Sequence, residues 1–288
     1  MITFTQLGQL GRLGNQLFQY AALRGLALEK GYESKIPDPT TCTWHGQKCL
    51  LGEFNIQSGL LNEYDIHKLK YRYQEPDHMK YDPGFRNIPD DCDLVGFYQS
   101  INYFCNHEEQ IKKELTPKDY HLKKAKAAFE EIKEQNPEYK IVSFHIRRGD
   151  NTDFTDPNQK ELRDFFQRGA GFDNYMKNAT SIFDGMPVKY LVFTGGKRWS
   201  ESNHDDIEWC RERLGEENFI FSENRTTLED FCLIMQCDHH IISPASSFGW
   251  WSAYLADRKE KIIVAPKRYH PDMQNLDHRV GFYLKHWR

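Results

Sequence analysis

The chain has 288 residues, enough to bury a large core, and this length predicts two domains rather than one. Charged residues make up 28% of the chain and the formal net charge is only −4, so bulk electrostatics argue against a nucleic-acid partner. No run approaches the roughly 20 apolar residues of a membrane span, which argues against a transmembrane segment and leaves peripheral membrane contact open.

The compartment is predicted from the N-terminus and from the cysteines. Residues 1–8 lack the basic n-region and the apolar h-region of a secretory signal. The seven cysteines are scattered, and Cys232 and Cys237 have a poor spacing for a metal site within a predicted helix. We therefore predict a cytoplasmic protein with reduced thiols.

The first predicted elements are a strand over residues 2–7, a glycine-rich turn and a helix. The turn reads G-Q-L-G-R-L-G-N-Q, and the helix is predicted from about Gln16 to Lys30. Backbone N–H groups point outward at such a junction, which makes it a natural cradle for an anion. The spacing matches neither Walker A nor G-x-G-x-x-G, so a glycine turn needed only for packing is the alternative.

Residues 37–93 are irregular, with prolines and many aromatic side chains. We expect this region to form the acceptor-facing surface, with an ordinary surface loop as the alternative. Asp91 and Asp93 form D-x-D, the metal signature of one class of sugar transferases. The pair precedes the predicted strand 94–98, whereas a metal-bearing D-x-D should follow a strand, so we predict no metal site here.

The domain boundary is predicted at the end of two helical segments. Helices are expected over 102–115 and 118–135, and the second is followed by Asn136-Pro137, which breaks a helix. This places an N-terminal domain at residues 1–137 and a C-terminal domain at residues 138–288.

Strands and helices alternate in the C-terminal half. Strands are predicted over 141–146, 189–194, 219–221, 239–243 and 261–265, and helices over about 159–182, 202–214, 227–236 and 247–257. This alternation is typical of an α/β domain with a parallel, doubly wound sheet, of which the first half is a less regular version.

The strand over 141–146 runs directly into the residues R-R-G-D. Side chains alternate along a strand, so His145 and Arg147 share one face. Ligands of parallel sheets gather beyond the carboxyl ends of the strands, and an arginine there offers a fork of N–H donors that matches a phosphate. We therefore predict that Arg147 grips a diphosphate, with a strand-end ion pair to Asp150 as the alternative.

Two further strand ends carry candidate ligand groups. Thr194 and Gly195 end a strand in a tight glycine turn, which suits the close approach of a ligand. Ser246 and Ser247 follow another strand at a helix start, where a serine is by default an N-cap. The same position can bind phosphate through hydroxyl groups, N–H groups and the positive helix end, and both alternatives stay open.

Six stretches in the chain together resemble the α-1,2-fucosyltransferase family, whose members move L-fucose from GDP-fucose to a sugar hydroxyl. They are G-R-L-G-N-Q-L-F-Q-Y-A (11–21), F-N-I (54–56), L-V-G-F-Y-Q-S-I-N-Y-F (94–104), H-I-R-R-G-D (145–150), L-E-D-F-C-L-I-M-Q-C-D-H-H-I-I-S (228–243) and S-S-F-G-W-W-S-A-Y-L (246–255). The resemblance implies a GT-B-like fold, in which two facing Rossmann-like domains hold the active site in the cleft between them. It also implies inversion at the anomeric carbon without an essential metal.

The resemblance implies catalytic roles as well. It places Arg147 on the β-phosphate of the donor, with Arg148 as a second source of positive charge and His145 near the nucleotide. Negative charge builds on the departing GDP, so groups aimed at it stabilise the transition state more than the ground state. The base that deprotonates the acceptor hydroxyl is open between Asp150 and His145.

The other residues that the resemblance places at the donor line its phosphates, sugar and base. They are Gly14, Asn15 and Gln16 toward the diphosphate and fucose, Asp230 toward the base or ribose, and Ser246, Ser247 and Phe248 along the phosphates. The implied partners are a nucleotide-sugar donor and an oligosaccharide acceptor, with no resident cofactor.

The chain departs from the family pattern at two places. Gly195 and Gly196 stand where many relatives carry acidic residues or asparagine, and Pro244 and Ala245 replace a more usual polar pair. Related fucosyltransferases can read guanine with a carboxylate at the first of these places, so a transferase of the same fold that uses another nucleotide sugar, such as a UDP-sugar, is an alternative. A non-catalytic glycan-binding protein is a second alternative, suggested by the 14% aromatic content.

Overall fold

The computed structural model describes residues 1–78, 80–149, 170–195, 203–266, 282–284 and 286–288. Among these residues, those up to Lys118 together with 282–284 form one compact unit, and those from Asp119 to residue 266 together with 286–288 form the other. None of the helices within these ranges is both long enough and apolar enough to cross a membrane.

The first unit is an α/β unit with a parallel sheet. Its elements are β1 (Ile2–Thr3), α1 (Leu13–Lys30), β2 (Ser34–Ile36), β3 (Thr43–Trp44), β4 (Gln47–Lys48), β5 (Gly59–Leu60), α2 (Glu63–His67), β6 (Tyr71–Gln74), β7 (Cys92–Val95) and α3 (Glu108–Glu114). The described strands are ordered β5-β2-β1-β7-β6 and every neighbouring pair is parallel. A separate antiparallel hairpin joins β3 and β4.

Helix α1 is the centre of the first unit because nearly all of its faces are covered. Leu17, Phe18 and Leu23 are fully buried along it. The helix ends at Gly31, whose φ of 69° is left-handed and whose N–H bonds to the carbonyl of Ala27. The prediction of a helix ending at Lys30 is confirmed, but the helix begins at Leu13 rather than at Gln16.

The second unit contains a longer parallel sheet. Its elements are α4 (Asp119–Gln135), β8 (Lys140–Arg147), α5 (Ala170–Ser181), β9 (Val188–Gly195), α6 (His204–Leu214), β10 (Phe219–Phe221), α7 (Thr227–Gln236), β11 (His239–Ile241), α8 (Ser247–Leu255) and β12 (Ile263–Val264). The described strands are ordered β10-β9-β8-β11-β12, again with parallel neighbours only. The predicted parallel, alternating domain is therefore confirmed.

The central strand β8 is buried on both faces, and its side chains alternate between two cores. Val142, Phe144 and Ile146 pack with side chains of α5 and α6 on one face. Ile141 packs with Leu233 and other side chains of α7 on the opposite face. Because of this alternation, His145 and Arg147 lie on the α7 side of the sheet and Arg148 on the α6 side.

Helix α4 belongs to the second unit, whereas the helix break at Asn136-Pro137 predicts a boundary after Pro137. Its buried Phe129 packs into the same core as Ile141 and Leu233. The charged helix has a narrow apolar stripe, and the sheet of the second unit covers this stripe. The units accordingly divide after Lys118.

Candidate active site

The carboxyl edge of the second sheet brings polar groups from separate segments together. Arg147 ends β8 directly beside Gly195, which ends β9. Its Nη1 donates to the carbonyl oxygen of Gly195 at 3.2 Å, and its backbone N–H donates to Ser243 Oγ at 3.0 Å, just beyond β11. The half-buried Arg147 guanidinium is therefore held at the edge where parallel sheets bind their ligands.

His145 lies two residues before Arg147 in β8, on the same face of the sheet. Its ring centre is 5.5 Å from that of Phe248, and a Cβ added to Gly249 would come within 2.9 Å of its Nδ1. Among the described residues this buried Nδ1 has no hydrogen-bond partner. Burial, aided by the charge of Arg147, lowers the pKa of His145 to about 3. Such an imidazole accepts a proton poorly, which favours a packing role for His145 over that of general base.

The start of helix α8 lies next to this pair of residues. Ser246 is its N-cap, and Ser246 Oγ accepts the N–H of Gly249 at 3.1 Å, so the default role predicted for this position is confirmed. Ser247 is the first helical residue and is half-buried, and the ring of Phe248 lies between His145 and Phe231. The positive end of the helix is thus presented beside the carboxyl end of β8.

Arg148 has a different environment from Arg147. Its Nε bonds to Asp206 Oδ1 at 3.0 Å, with side-chain exposures of 8% and 3% for the two partners. The guanidinium also lies 3.7 Å above the ring of Trp209. Asp206 and Trp209 are both on α6. Arg148 therefore lies on the opposite face of the sheet from Arg147, as the alternation of side chains along a strand predicts. Arg148 is held in a buried ion pair, and its predicted contact with the donor stays a prediction.

The end of β9 requires glycine at position 195. Gly195 has a φ of 108°, and an added Cβ would approach the Cβ of Asn203 to 2.8 Å. Asn203 Nδ2 donates to the carbonyl oxygen of Thr194 at 3.2 Å, while the Thr194 side chain is buried. These contacts give the glycine a local packing reason, and Gly196 lies outside the described residues.

Asp230 lies near the start of α7, at the same edge of the sheet. Its carboxylate accepts a hydrogen bond of 2.6 Å from the hydroxyl of Ser222, which follows β10. Burial raises the pKa of Asp230 to about 7, and the Ser222 hydrogen bond and Arg225 only partly offset this effect. Carboxylates with raised pKa values are typical of functional sites, which is consistent with the predicted role at the base or ribose.

Replacing Asp230 by asparagine is expected to raise stability at pH 8. The folded-state pKa of about 7 exceeds the ordinary value of 3.8, so the free energy of unfolding of the wild type falls as pH rises between these values. The variant should gain about 1–3 kcal/mol at pH 8 and nothing below pH 4. Urea denaturation across this range measures the difference. The exposed Asp205→Asn is the matched control, and a constant difference for Asp230→Asn at every pH would contradict the burial argument.

In the first unit, Gly14, Asn15 and Gln16 lie in the first turn of α1 and not in the preceding loop. Gln16 is buried, its Nε2 donates to the carbonyl oxygen of Gly11 at 3.0 Å, and its Oε1 accepts the thiol of Cys49 at 3.4 Å. Asn15 Oδ1 accepts an N–H of the Gln99 side chain at 2.7 Å. The buried Gln16 side chain therefore stabilises the glycine-rich turn through its hydrogen bond to Gly11.

The D-x-D carboxylates have partners in the first unit. Both oxygens of Asp93 accept hydrogen bonds from Thr5, at 2.8 Å from its N–H and 2.9 Å from its hydroxyl. Asp91 pairs with Lys70 at 2.6 Å. Asp93 therefore fixes the position of Thr5, in the segment that leads into the glycine-rich turn. In the described ranges, no group of three or more His, Cys, Asp or Glu side chains is arranged to hold a metal ion.

Two serines at this edge of the sheet, Ser222 and Ser243, were not predicted from the sequence. Ser243 follows β11, and the order of the strands in the sheet places it beside Arg147. Ser222 follows β10 and meets Asp230 across the connection from β10 to α7. The letters H-I-I-S could have suggested Ser243, because it stands at the end of a predicted strand. Asp150 lies outside the described residues, so its predicted role stays a prediction.

The model of Glycosyl transferase family 11 matches residues 3–288 of the chain. The chain belongs to glycosyl transferase family 11. It is 26% identical over 282 residues to the alpha-1,2-colitosyltransferase of Escherichia coli, covering 89% of each protein. It is 28% identical over 262 residues to galactoside alpha-(1,2)-fucosyltransferase 2 of Rattus norvegicus, covering 87% of this chain and 66% of that protein. The chain thus spans about two thirds of the length of this rat relative.

The fold of this family 11 chain is also found in solved fucosyltransferase structures. POFUT1 in complex with GDP-fucose aligns with a TM-score of 0.53 at 12% sequence identity, over 91% of this chain and 97% of that one. The predicted family, the predicted glycosyltransferase class and the GT-B-like fold are therefore confirmed. The family match also decides against a non-catalytic glycan-binding protein.

Proposed function

We propose that this family 11 glycosyltransferase moves L-fucose from GDP-fucose to a hydroxyl of an oligosaccharide, with inversion, forming an α-1,2 linkage. Support comes from the relatives, which include enzymes named as alpha-(1,2)-fucosyltransferases. The acceptor is a glycan by the same reasoning, because those names specify a galactoside.

The position of Arg147 carries the proposal. It ends the central strand, contacts Gly195 of the neighbouring strand, and lies on the same face of the sheet as His145, against which the start of α8 packs. An arginine fork beside a positive helix end is suited to two phosphates. Asp230 at the same edge, with its raised pKa, is a candidate for contacts to the base or ribose.

The reaction follows from this charge distribution. The acceptor hydroxyl attacks the anomeric carbon of fucose from the face opposite to GDP, and the bond from that carbon to the β-phosphate oxygen breaks. Arg147 and the N–H groups at the start of α8, near Ser246 and Ser247, stabilise the negative charge that develops on the departing diphosphate. We infer a metal-independent reaction from the family resemblance, in which these groups supply the positive charge.

For the general base we propose Asp150, one of the two candidates. Burial and the charge of Arg147 lower the pKa of His145 to about 3, so its imidazole is a weak base. This leaves Asp150 as the better of the two candidates. The rate of the wild type should rise with pH as the base loses its proton. This rise should be absent in Asp150→Ala and present in His145→Ala.

Colitose is a second candidate for the transferred sugar. The observation that favours it is the similarity to the Escherichia coli alpha-1,2-colitosyltransferase, which extends over 89% of both chains. The nucleotide and the sugar are therefore tested separately.

A thermal-shift experiment with GDP and UDP tests the choice of nucleotide. A bound nucleotide stabilises the folded protein by mass action, by about 2.7 kcal/mol at a concentration of 100 times its dissociation constant. We expect GDP to raise the melting temperature and UDP at the same concentration to leave it unchanged. Stabilisation by UDP alone would contradict a GDP donor and favour a UDP-sugar.

A donor screen then tests the sugar and the reaction. GDP-fucose and colitose donors are incubated with galactoside acceptors, and nucleotide release and the product linkage are measured. We expect release of GDP that depends on the acceptor and gives an α-1,2-linked fucoside. GDP release that is independent of any acceptor, or a product with retained configuration, would contradict the proposal.

A further inference from the structure

Cys42 and Cys49 face each other across the base of the β3–β4 hairpin. The register pairs Thr43 with Lys48, so the next pair along the hairpin is Cys42 with Cys49. The N–H of Cys49 donates to the carbonyl oxygen of Cys42 at 3.0 Å, which is one of the two bonds of a hydrogen-bonded antiparallel pair, while the N–H of Cys42 donates to the carbonyl oxygen of Pro39 at 3.4 Å. Such pairs have Cα atoms about 5.5 Å apart, which falls within the range of about 4.4–6.8 Å found in disulfides.

Both side chains also point to the same side of the hairpin. A Cβ built on Gly8 would lie 2.8 Å from the Cβ of Cys42 and 3.1 Å from the Cβ of Cys49. The two β-carbons are therefore within about 6 Å of each other. Both cysteine residues are buried, with exposures of 3% and 8%. We propose that Cys42 and Cys49 form a modification site, at which a low-molecular-weight disulfide oxidises the two thiols to an intramolecular disulfide.

The step balances with oxidised glutathione as the oxidant. The thiolate of one cysteine attacks a sulfur of glutathione disulfide and releases one glutathione thiol. The second cysteine attacks the mixed disulfide and releases the other glutathione. Two S–H bonds of the protein and one S–S bond of glutathione are replaced by the S–S bond of the protein and two glutathione thiols.

The Cys42–Cys49 site contacts the glycine-rich turn of the first unit and the start of α1. The Cys49 thiol donates to Gln16 Oε1 at 3.4 Å, and Gln9 Nε2 contacts the sulfur of Cys42 at 3.9 Å. Oxidation removes the thiol donor to Gln16, the same side chain that braces Gly11. Burial raises the pKa of Cys49 to about 11, so its thiolate is scarce at neutral pH and the exchange is expected to be slow.

Peptide mapping of the folded full-length chain tests the site. The Cys105→Ser variant is used as background, since Cys105 is the exposed member of the seven cysteines. The protein is incubated with oxidised glutathione, unfolded in N-ethylmaleimide and digested with trypsin, which cleaves after Lys48 and separates the two cysteines. We expect peptides 36–48 and 49–68 to be joined, with a mass two hydrogens below their sum, and dithiothreitol to release them.

Controls within the same chain distinguish a specific Cys42–Cys49 disulfide from general oxidation of the cysteines. The buried Cys232 and Cys237 should remain fully alkylated, and Cys49→Ser should abolish the joined peptides. The proposal is overturned if Cys42 and Cys49 both remain alkylated after incubation. It is also overturned if either is found only as a mixed disulfide with glutathione or joined to another cysteine.

Discussion

Arg147→Ala is expected to lower the turnover number by about 100-fold or more, as does the loss of one oxyanion donor in other enzymes. The physical reason is that its charge acts on the diphosphate most strongly when the leaving group becomes negative. Initial rates of GDP release at saturating donor concentration measure the effect. The substitution should change the melting temperature of the nucleotide-free protein little, since the side chain is half-buried at the sheet edge.

Two further variants make the Arg147 experiment specific. Arg147→Lys keeps the charge but loses the planar fork, so an activity between the wild type and the alanine variant is expected. Arg258→Ala removes an exposed arginine of the same unit, whose Nη2 bonds to the carbonyl of Gln236, and is expected to keep normal turnover. Near-normal turnover of Arg147→Ala would remove the main support of the proposed function.

Asp206→Ala is expected to lower the free energy of unfolding by about 3–5 kcal/mol, because it leaves the charge of Arg148 buried beside a missing partner. The two side chains are 8% and 3% exposed and bond at 3.0 Å. Urea denaturation monitored by circular dichroism measures the loss. This result would show that the charge of Arg148 is buried and depends on Asp206 as its partner.

A double substitution separates the ion pair from simple loss of packing. Arg148→Met combined with Asp206→Leu removes both charges and retains apolar volume, so it should be more stable than Asp206→Ala alone. Asp205→Ala, at an exposed neighbouring position on α6, should change the unfolding free energy by less than about 0.5 kcal/mol. A loss below about 1 kcal/mol for Asp206→Ala would show that the pair is solvated and contributes little.

The second unit could be predicted closely because its strands and helices carry strong periodic signals. The strand predicted over 141–146 is observed as Lys140–Arg147, and the helix predicted over 227–236 is observed with the same bounds. Long apolar strands and a capping box at Thr226 are local features, which need no knowledge of distant residues.

The first unit was predicted less well because its strands are short. β2, β5 and β6 have only two to four residues each and were not predicted. The strand predicted over 94–98 is observed as Cys92–Val95, because Gly96 and Tyr98 have φ values of 152° and 50° and leave the extended conformation. Such strands are defined by their neighbours in the sheet rather than by their own pattern.

The sequence by itself determined that Arg147, Gly195 and Ser246 stand at or just beyond the ends of strands, since alternation and strand length are local properties of the chain. Tertiary structure decided their environments. Arg147 is held at the sheet edge by Ser243 and Gly195, whereas the adjacent Arg148 is paired with Asp206. The physical reason is that burial, charge pairing and pKa depend on side chains far apart in sequence, which only the order of the strands brings together.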